Sequence, residues 1–165
     1  MVDLHDVFER LAHAIDIECA ERREADLPLL RHTEIRVMGQ MSLLSNPELQ
    51  AQIRLFGTRD VDATVRGEYW VQKKFEAFLV ERGLELDPVA EEIWLPKGST
   101  FSEVFSSKRL TCVRLDPLYA LVSKAIKAKE KNRLLLQQAL PIFGHALREM
   151  IEKYGGDLAY FETQE

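Results

Sequence analysis

Apolar and polar residues alternate through TRDVDATV, residues 58–65, and this stretch decides which fold the chain can adopt. Side chains of a β-strand point to opposite faces with a period of two, so the alternation predicts a strand with its apolar positions facing a core. Asp60 and Asp62 then project from the other face, about 7 Å apart at the backbone because each residue adds about 3.3 Å. The stretch therefore predicts a half-buried strand that carries two acids on one face.

The segments before this strand predict a helix, a strand and a second helix. Apolar residues at helical spacing predict an amphipathic helix over about residues 3–24. Residues 35–38, IRVM, are β-prone and end at Gly39, where the backbone can turn sharply. The apolar residues after Gly39 fit either a continuing strand or a helix. Pro47 favours the helix, because proline suits a first helical turn and not a central strand.

After residue 65, predicted helices and strands again follow one another, and the last predicted segments are helices. Asp116-Pro117 predicts a helix start, since an acceptor side chain stands at the cap and proline at the first helical position. Asn132 is a second candidate cap, and Pro141 is expected to separate the last two helices. The predicted segments are a helix over 69–82, one or two strands within 84–95, a surface loop or flexible active-site loop over 97–108, a strand over 110–115, and helices from 117 to Gly155-Gly156.

These segments predict an α/β (α+β) protein with a small mixed β-sheet flanked by helices and a helical C-terminal region. A length of 165 residues predicts a single domain that spans 1–165. Within it we expect an N-terminal helix and connector over about 1–32, an α/β core over 33–115, and C-terminal helices over 116–165.

The composition disfavours several functional classes. A formal net charge of -5 argues against a protein that coats nucleic acid through bulk basicity, because neutralising phosphates requires a surplus of Lys and Arg. No apolar run approaches the roughly 18–20 residues that span a bilayer, so no membrane partner is expected. The N-terminal MVDLHDVFER lacks the basic and apolar regions of a signal peptide, and two cysteines are too few for a disulfide framework. These features predict a cytoplasmic protein.

The two acids on the predicted strand suit a divalent cation. Like charges this close repel each other unless a cation lies between them. Hard ions such as Mg²⁺ are held by one or two carboxylates plus substrate phosphates, and a pair of them can activate an attacking oxygen and neutralise a leaving pyrophosphate. The alternative is that Asp60 and Asp62 are ordinary acids on the solvated face of a sheet.

Three stretches follow one another along the chain: VMGQ at 37–40, TRDVD at 58–62, and an alanine-rich lysine helix, LYALVSKAIKA, at 118–128. This order resembles the nucleotidyltransferase-fold superfamily, the polymerase-beta-like group. Its members carry a strand, a Gly-Gly or Gly-Ser turn that opens a helix, a Thr-x-Asp-hydrophobic-Asp strand, and a helix that presents a lysine and then a Lys-Asp pair. Lys131-Asn132 stands at the place of that pair. The resemblance covers roughly residues 33–140, and the nearest branch is that of small bacterial abortive-infection and toxin-type nucleotidyltransferases.

The resemblance implies a role for each matched residue. Asp60 and Asp62 would hold Mg²⁺, and Gly39 would let the backbone approach the nucleotide phosphates. Lys124 would contact the triphosphate or stabilise charge during transfer, as a point cation can. The alternative for Lys124 is a solvated lysine on a helix surface.

The resemblance also implies nucleotide contacts from Thr58 and Arg59. Arg59 or Arg54 would replace an arginine that members often carry before the threonine. The family's third carboxylate has no clean match here. Glu92 is the first candidate for it, or for a base, and Glu91 is the second; either could be an ordinary surface acid.

The resemblance implies a metal-dependent nucleotidyltransferase that moves a nucleoside monophosphate from a nucleoside triphosphate to a protein or RNA acceptor. A toxin-type enzyme would also have an antitoxin as its protein partner. The chain departs from the family at Gln40, where a second small residue is usual, and at Asn132, where an Asp is usual. These departures leave a second hypothesis, a catalytically degenerate member that binds a nucleotide or a protein. A third is an unrelated α/β domain with an accidental match.

Overall fold

The computed structural model describes residues 3–163, in which helices and strands alternate and the last third is helical. The α-helices are α1 (His5–Glu24), α2 (Gly39–Leu44), α3 (Pro47–Gln50), α4 (Tyr69–Glu81), α5 (Pro117–Lys127), α6 (Arg133–Lys153) and α7 (Leu158–Glu162). The strands are β1 (Thr33–Val37), β2 (Asp60–Val61), β3 (Ala63–Arg66), β4 (Glu85–Leu86), β5 (Phe101–Ser106) and β6 (Leu110–Leu115), and a short 3-10 helix covers Ala90–Glu92.

The main sheet is mixed and has the strand order β3-β1-β6-β5. Strand β1 runs parallel to β6 and antiparallel to β3, and β5 runs antiparallel to β6. A second, small sheet joins β2 and β4 in parallel. A mixed sheet flanked by helices is the predicted fold class, which the structure confirms.

Two apolar clusters cover the elements of this sheet. The first joins α1 and α4 to β1 and β6, with side chains such as Phe8, Ile35, Phe75 and Cys112 fully buried. The second joins α2, α5, α6 and α7, and it includes the buried Leu43, Leu121, Leu136 and Phe161. Helix α2 contributes to both clusters, so the turn at its start is held firmly between them.

The prediction of one continuous strand over 58–65 is wrong, because the chain changes sheets at Asp62. Before it, Val61 lies in register with Leu86 of β4; after it, Ala63 lies in register with Val37 of β1. The same alternation of apolar residues therefore serves two sheets, with Val61 and Ala63 buried and Val65 half-buried. Asp62 lies at the junction and belongs to neither strand.

Several other predictions are confirmed. Strands β1 and β6 and helix α4 lie where the sequence places them, and α2 begins at the predicted turn at Gly39. Pro47 is the first residue of α3, and Pro117 is the first residue of α5. The N-terminal helix α1 is also present.

One strand, the two-residue β4, forms within 84–95, where one or two were expected. Three further details correct the sequence-based expectations. The expected loop over 97–108 contains β5, an edge strand that pairs with β6 although its sequence is mostly polar and half-exposed. Pro141 lies inside α6, and the interruption falls at Gly144, which alone in that helix has non-helical angles (φ 56°, ψ -132°).

The third correction concerns the start of α5. Asp116 stands at the cap position, but its carboxylate makes no capping hydrogen bond. It accepts hydrogen bonds from Ser102 Oγ, at 2.5 Å, and from Thr100 Oγ1 instead. This side chain therefore ties the start of α5 to the β5 strand.

Among residues 3–163 no helix is both long enough and apolar enough to cross a membrane.

Candidate functional site

The small sheet brings two carboxylates together. Because β2 and β4 run parallel and in register, the residues that follow them, Asp62 and Asp87, lie side by side. The Asp87 amide donates to the carbonyl of Val61 at 3.0 Å, and the Asp62 and Asp87 carboxyl groups share a hydrogen bond. The Val89 amide donates to Asp87 Oδ1 at 2.9 Å and fixes that side chain.

The Gly39 turn lies directly against the Asp62 carboxylate. Gly39 has a φ of +58°, and a Cβ at this position would overlap Asp62 Oδ2. The Met38 amide donates to the Asp62 carbonyl at 2.7 Å, which ties the turn to the junction between β2 and β3. The need for glycine here is therefore set by the Asp62 side chain as well as by the backbone angle.

Asp60 completes a group of three acids. It is exposed, its amide donates to Thr58 Oγ1 at 3.2 Å, and its negative charge acts on Asp62. Among residues 3–163 no ion pair within 4.0 Å involves any of the three aspartates. We call Asp60, Asp62 and Asp87 the carboxyl cluster.

Burial raises the pKa of Asp62 to about 6, and the hydrogen bond and negative charge of Asp87 add to this effect. The charge of Asp60 acts in the same direction, while the Lys124 ammonium opposes it. Without a bound cation, the cluster therefore holds a proton at a pH where an ordinary aspartic acid has lost it.

Lys124 connects the carboxyl cluster to a cleft. It lies on α5, is half-buried, and is close enough for its charge to stabilise the charged form of Asp62. Burial lowers its pKa, the nearby Lys131 lowers it further, and Asp62 raises it. The alternative of a fully solvated lysine is thus not what the structure shows.

The cleft has a volume of about 290 Å³, and the ionic side chains that line it are all basic. They are Arg54, Lys124 and Lys131, and no Asp or Glu is among the lining residues. The remaining lining residues are Gln40, Leu55, Phe56, Gly57, Thr58, Asn132, Leu134 and Leu135. A basic cleft therefore begins near an acidic cluster, with Lys124 lining the cleft and its charge acting on Asp62.

The remaining predicted site residues are divided between the cleft and the outer surface. Thr58 lines the cleft, whereas Arg59 is exposed, does not line it, and donates from Nε to the Gly83 carbonyl at 3.4 Å. Of the two arginines considered at this place, Arg54 is the one in the cleft. Glu92 lies exposed on the 3-10 helix and is not among the groups that shift the pKa of Asp62.

Asp87 is the residue that the sequence reasoning missed. It occupies the place beside Asp62 where a third carboxylate is expected, although the sequence alone shows Asp87-Pro88 only as an interruption of an apolar segment. One signal was available: a short apolar stretch ends at this aspartate just as the preceding one ends at Asp62. Side chains at the ends of two parallel neighbouring strands lie at the same edge of a sheet.

The two departures from the family pattern both have structural partners. Gln40 Nε2 donates to the Phe56 carbonyl at 2.8 Å, so its amide bridges the Gly39 turn and the segment before Thr58. Asn132 is nearly buried, and its Nδ2 donates to the Ala128 carbonyl at 2.9 Å. Both side chains line the cleft.

Replacing Asp62 with asparagine is expected to stabilise the protein at pH 8 by about 1 kcal/mol. This free-energy difference is kept small because solvent screens the charge of the half-exposed Asp62 carboxyl. Because folding raises the pKa of Asp62 to about 6, protonation of Asp62 stabilises the folded state relative to the unfolded state. This stabilisation is lost as the pH rises through 6. The advantage of the variant should shrink as the pH falls and vanish near pH 4. Urea unfolding at both pH values measures it, and an equal difference at pH 8 and pH 4 would contradict the assignment.

No family model, curated protein or solved structure was found to match this chain. Within the described residues, no group of three or more His, Cys, Asp or Glu side chains is arranged to hold a metal ion by itself.

Proposed function

We propose that the chain is a nucleotidyltransferase-like protein that binds a nucleoside triphosphate with Mg²⁺ and transfers the nucleoside monophosphate to a hydroxyl group. The observation that carries this proposal is the position of Lys124, whose charge acts on Asp62 and whose side chain lines the basic cleft. A carboxyl cluster with no ion-pair partner within the described residues lies on one side of it, and a cleft with only basic ionic side chains lies on the other. A Mg²⁺-nucleotide presents this pair of charges, a cation beside a chain of anionic phosphates.

The carboxyl cluster has donor chemistry that fits Mg²⁺. Carboxylate oxygens are hard ligands, and the hydrogen-bonded Asp62 and Asp87 leave a surplus of negative charge that a cation would neutralise. Magnesium is usually held by one or two carboxylates, and substrate phosphates and water complete its coordination. In residues 3–163 no group of three or more His, Cys, Asp or Glu side chains is arranged to hold a metal, so the nucleotide phosphates would have to supply the remaining ligands. Asp62 would hold the ion together with Asp87 or Asp60, and the ion would supply charge neutralisation at the reacting phosphate.

The side chains of the cleft suit the polyphosphate. Lys124, with Lys131 near it, places positive charge where the phosphates would lie next to the cluster. Burial strengthens such interactions because the local dielectric constant falls. In the transfer, the acceptor oxygen forms a bond to the α-phosphorus, the bond from the α-phosphorus to the bridging oxygen breaks, pyrophosphate leaves, and the proton of the acceptor hydroxyl passes to water. Lys124 would stabilise the charge that develops on the leaving pyrophosphate.

The acceptor and the partner are proposed from the family resemblance. A protein hydroxyl or an RNA end would accept the nucleotide, and an antitoxin or another protein would regulate a toxin-type enzyme. The carboxyl cluster supports a hydroxyl acceptor in general, because a Mg²⁺ ion held there would offer the same charge neutralisation to any attacking oxygen.

A second candidate is a nucleotide-binding or protein-binding module without transferase activity. It is favoured by Gln40, whose side chain is tied to the Phe56 carbonyl across the turn where family members have a small residue. A side chain in that turn limits how closely a phosphate can approach the backbone. The two candidates share nucleotide binding and differ in turnover.

Thermal unfolding with Mg²⁺ and each nucleoside triphosphate tests the proposal. A ligand at about one hundred times its Kd stabilises the folded state by about 2.7 kcal/mol, which raises the melting temperature of a protein of this size by about 5 °C or more. The wild type is expected to show this shift and the Asp60→Ala/Asp62→Ala variant to lose it, each compared with its own ligand-free state. No shift with any nucleotide would refute the proposal. A shift without incorporation of α-labelled nucleotide into any acceptor would favour the second candidate.

A further inference from the structure

Two large apolar side chains stand largely exposed in the basic cleft. Phe56 is 68% exposed and Leu134 is 63% exposed, and both line the cleft together with its cations. Exposed apolar groups inside a concave site usually serve a ligand that covers them.

Two chain segments that line the cleft each combine a cation with one of these apolar groups. Residues 54–58 include Arg54 and Phe56, and residues 131–135 include Lys131 and Leu134. Phe56 is held in place through its carbonyl, which accepts the Gln40 amide at 2.8 Å. A nucleotide has the matching chemistry, because its base has flat apolar faces and its phosphates are anionic.

The lining residues around Phe56 are both apolar and polar. Leu55, Gly57 and Leu135 carry no side-chain hydrogen-bonding group, whereas the Gln40 amide donates to the Phe56 carbonyl at 2.8 Å. Because the Phe56 side chain itself is apolar and largely exposed, it can contribute to recognition through apolar contact and stacking.

We propose that Phe56 and Leu134 hold the base of the nucleoside triphosphate, an inference that rests on the proposed function. The base stacks on the Phe56 ring and covers Leu134, while its phosphates extend to Lys124. Because stacking increases with ring area, the site prefers purines to pyrimidines.

Calorimetric titrations with Mg²⁺-ATP, Mg²⁺-GTP, Mg²⁺-CTP and Mg²⁺-tripolyphosphate test this subsite. The wild type is expected to bind both purine nucleotides more tightly than CTP and far more tightly than tripolyphosphate, which has no base. Phe56→Ala is expected to weaken ATP binding by about tenfold and to leave tripolyphosphate binding unchanged. Phe56→Trp should keep the wild-type affinity for ATP, and Leu134→Ala should weaken it less than Phe56→Ala does.

The control is Tyr69→Ala, which removes an aromatic side chain of similar exposure, 71%, that does not line the cleft. It should leave every affinity unchanged. Tripolyphosphate binding as tightly as ATP, or an ATP affinity that Phe56→Ala does not change, would overturn the base subsite while leaving the proposed function intact. If the wild type binds none of the four probes, the proposed function fails and the subsite fails with it.

Discussion

Replacing Asp87 with alanine is expected to reduce nucleotide transfer by about two to three orders of magnitude. The Asp87 carboxyl is hydrogen-bonded to Asp62 and would share the metal ion with it, so its removal takes away a ligand at the reacting phosphate. Incorporation of α-labelled nucleotide, measured under single-turnover conditions, gives the loss. The folded state should survive, because the substitution also removes a like charge next to Asp62.

The matched control is Glu92→Ala, because Glu92 is the acid that the sequence alone favoured for the same role. It is exposed on the 3-10 helix and does not influence Asp62, so its removal should change the rate by less than about twofold. Asp87→Asn keeps the shape of the side chain and should behave like Asp87→Ala if charge is what matters. A large loss with Glu92→Ala, or none with Asp87→Ala, would reverse the assignment of the third carboxylate.

Replacing Gly39 with alanine is expected to destabilise the protein by about 2–3 kcal/mol. An L-residue other than glycine costs about 1–2 kcal/mol at a left-handed backbone angle, and φ is +58° here. The new methyl group would also overlap the Asp62 carboxylate and push it out of its hydrogen bond with Asp87. Urea unfolding at constant pH measures the total.

Gly83→Ala separates these two costs. Gly83 has a φ of +72° but no heavy atom within 4 Å of the place where a methyl group would stand, so this variant should show only the backbone cost of about 1 kcal/mol. Combining Gly39→Ala with Asp62→Ala should reduce the cost of the Gly39 substitution to that of Gly83→Ala, since the overlapping carboxylate is gone. An unchanged cost in the double variant would show that the carboxylate does not occupy the space above Gly39.

The sequence was sufficient for the elements that rest on local signals. Helical spacing, proline at a first turn and a glycine after a β-prone run each act within a few residues, and they placed α1, α4, α5 and the Gly39 turn. Local signals could not show that the predicted strand over 58–65 is divided between two sheets. Both halves bury alternate residues, and only pairing with β4 and β1, which are distant in sequence, shows that they lie in different sheets.

The candidate site shows the same limit. Asp62, Gly39 and Lys124 follow from motifs, but that Asp62 lies against Gly39 and near Lys124 is a property of the tertiary structure. Asp87 was hidden because a two-residue strand gives almost no periodic signal. The basic cleft was also hidden, since it brings together Arg54 and Lys131, which are distant in sequence, while the whole chain carries a net charge of -5.

Titration of Mg²⁺-nucleoside triphosphate into the wild type and into Asp62→Asn/Asp87→Asn, with and without Mg²⁺, tests the central proposal most directly. We expect the wild type to bind the nucleotide in the presence of Mg²⁺ and much more weakly without it. The double variant should lose the contribution of Mg²⁺ and keep the weak binding that the basic cleft provides. Equal affinity of the wild type with and without Mg²⁺, or a double variant that still responds fully to Mg²⁺, would contradict a metal-nucleotide site at the carboxyl cluster.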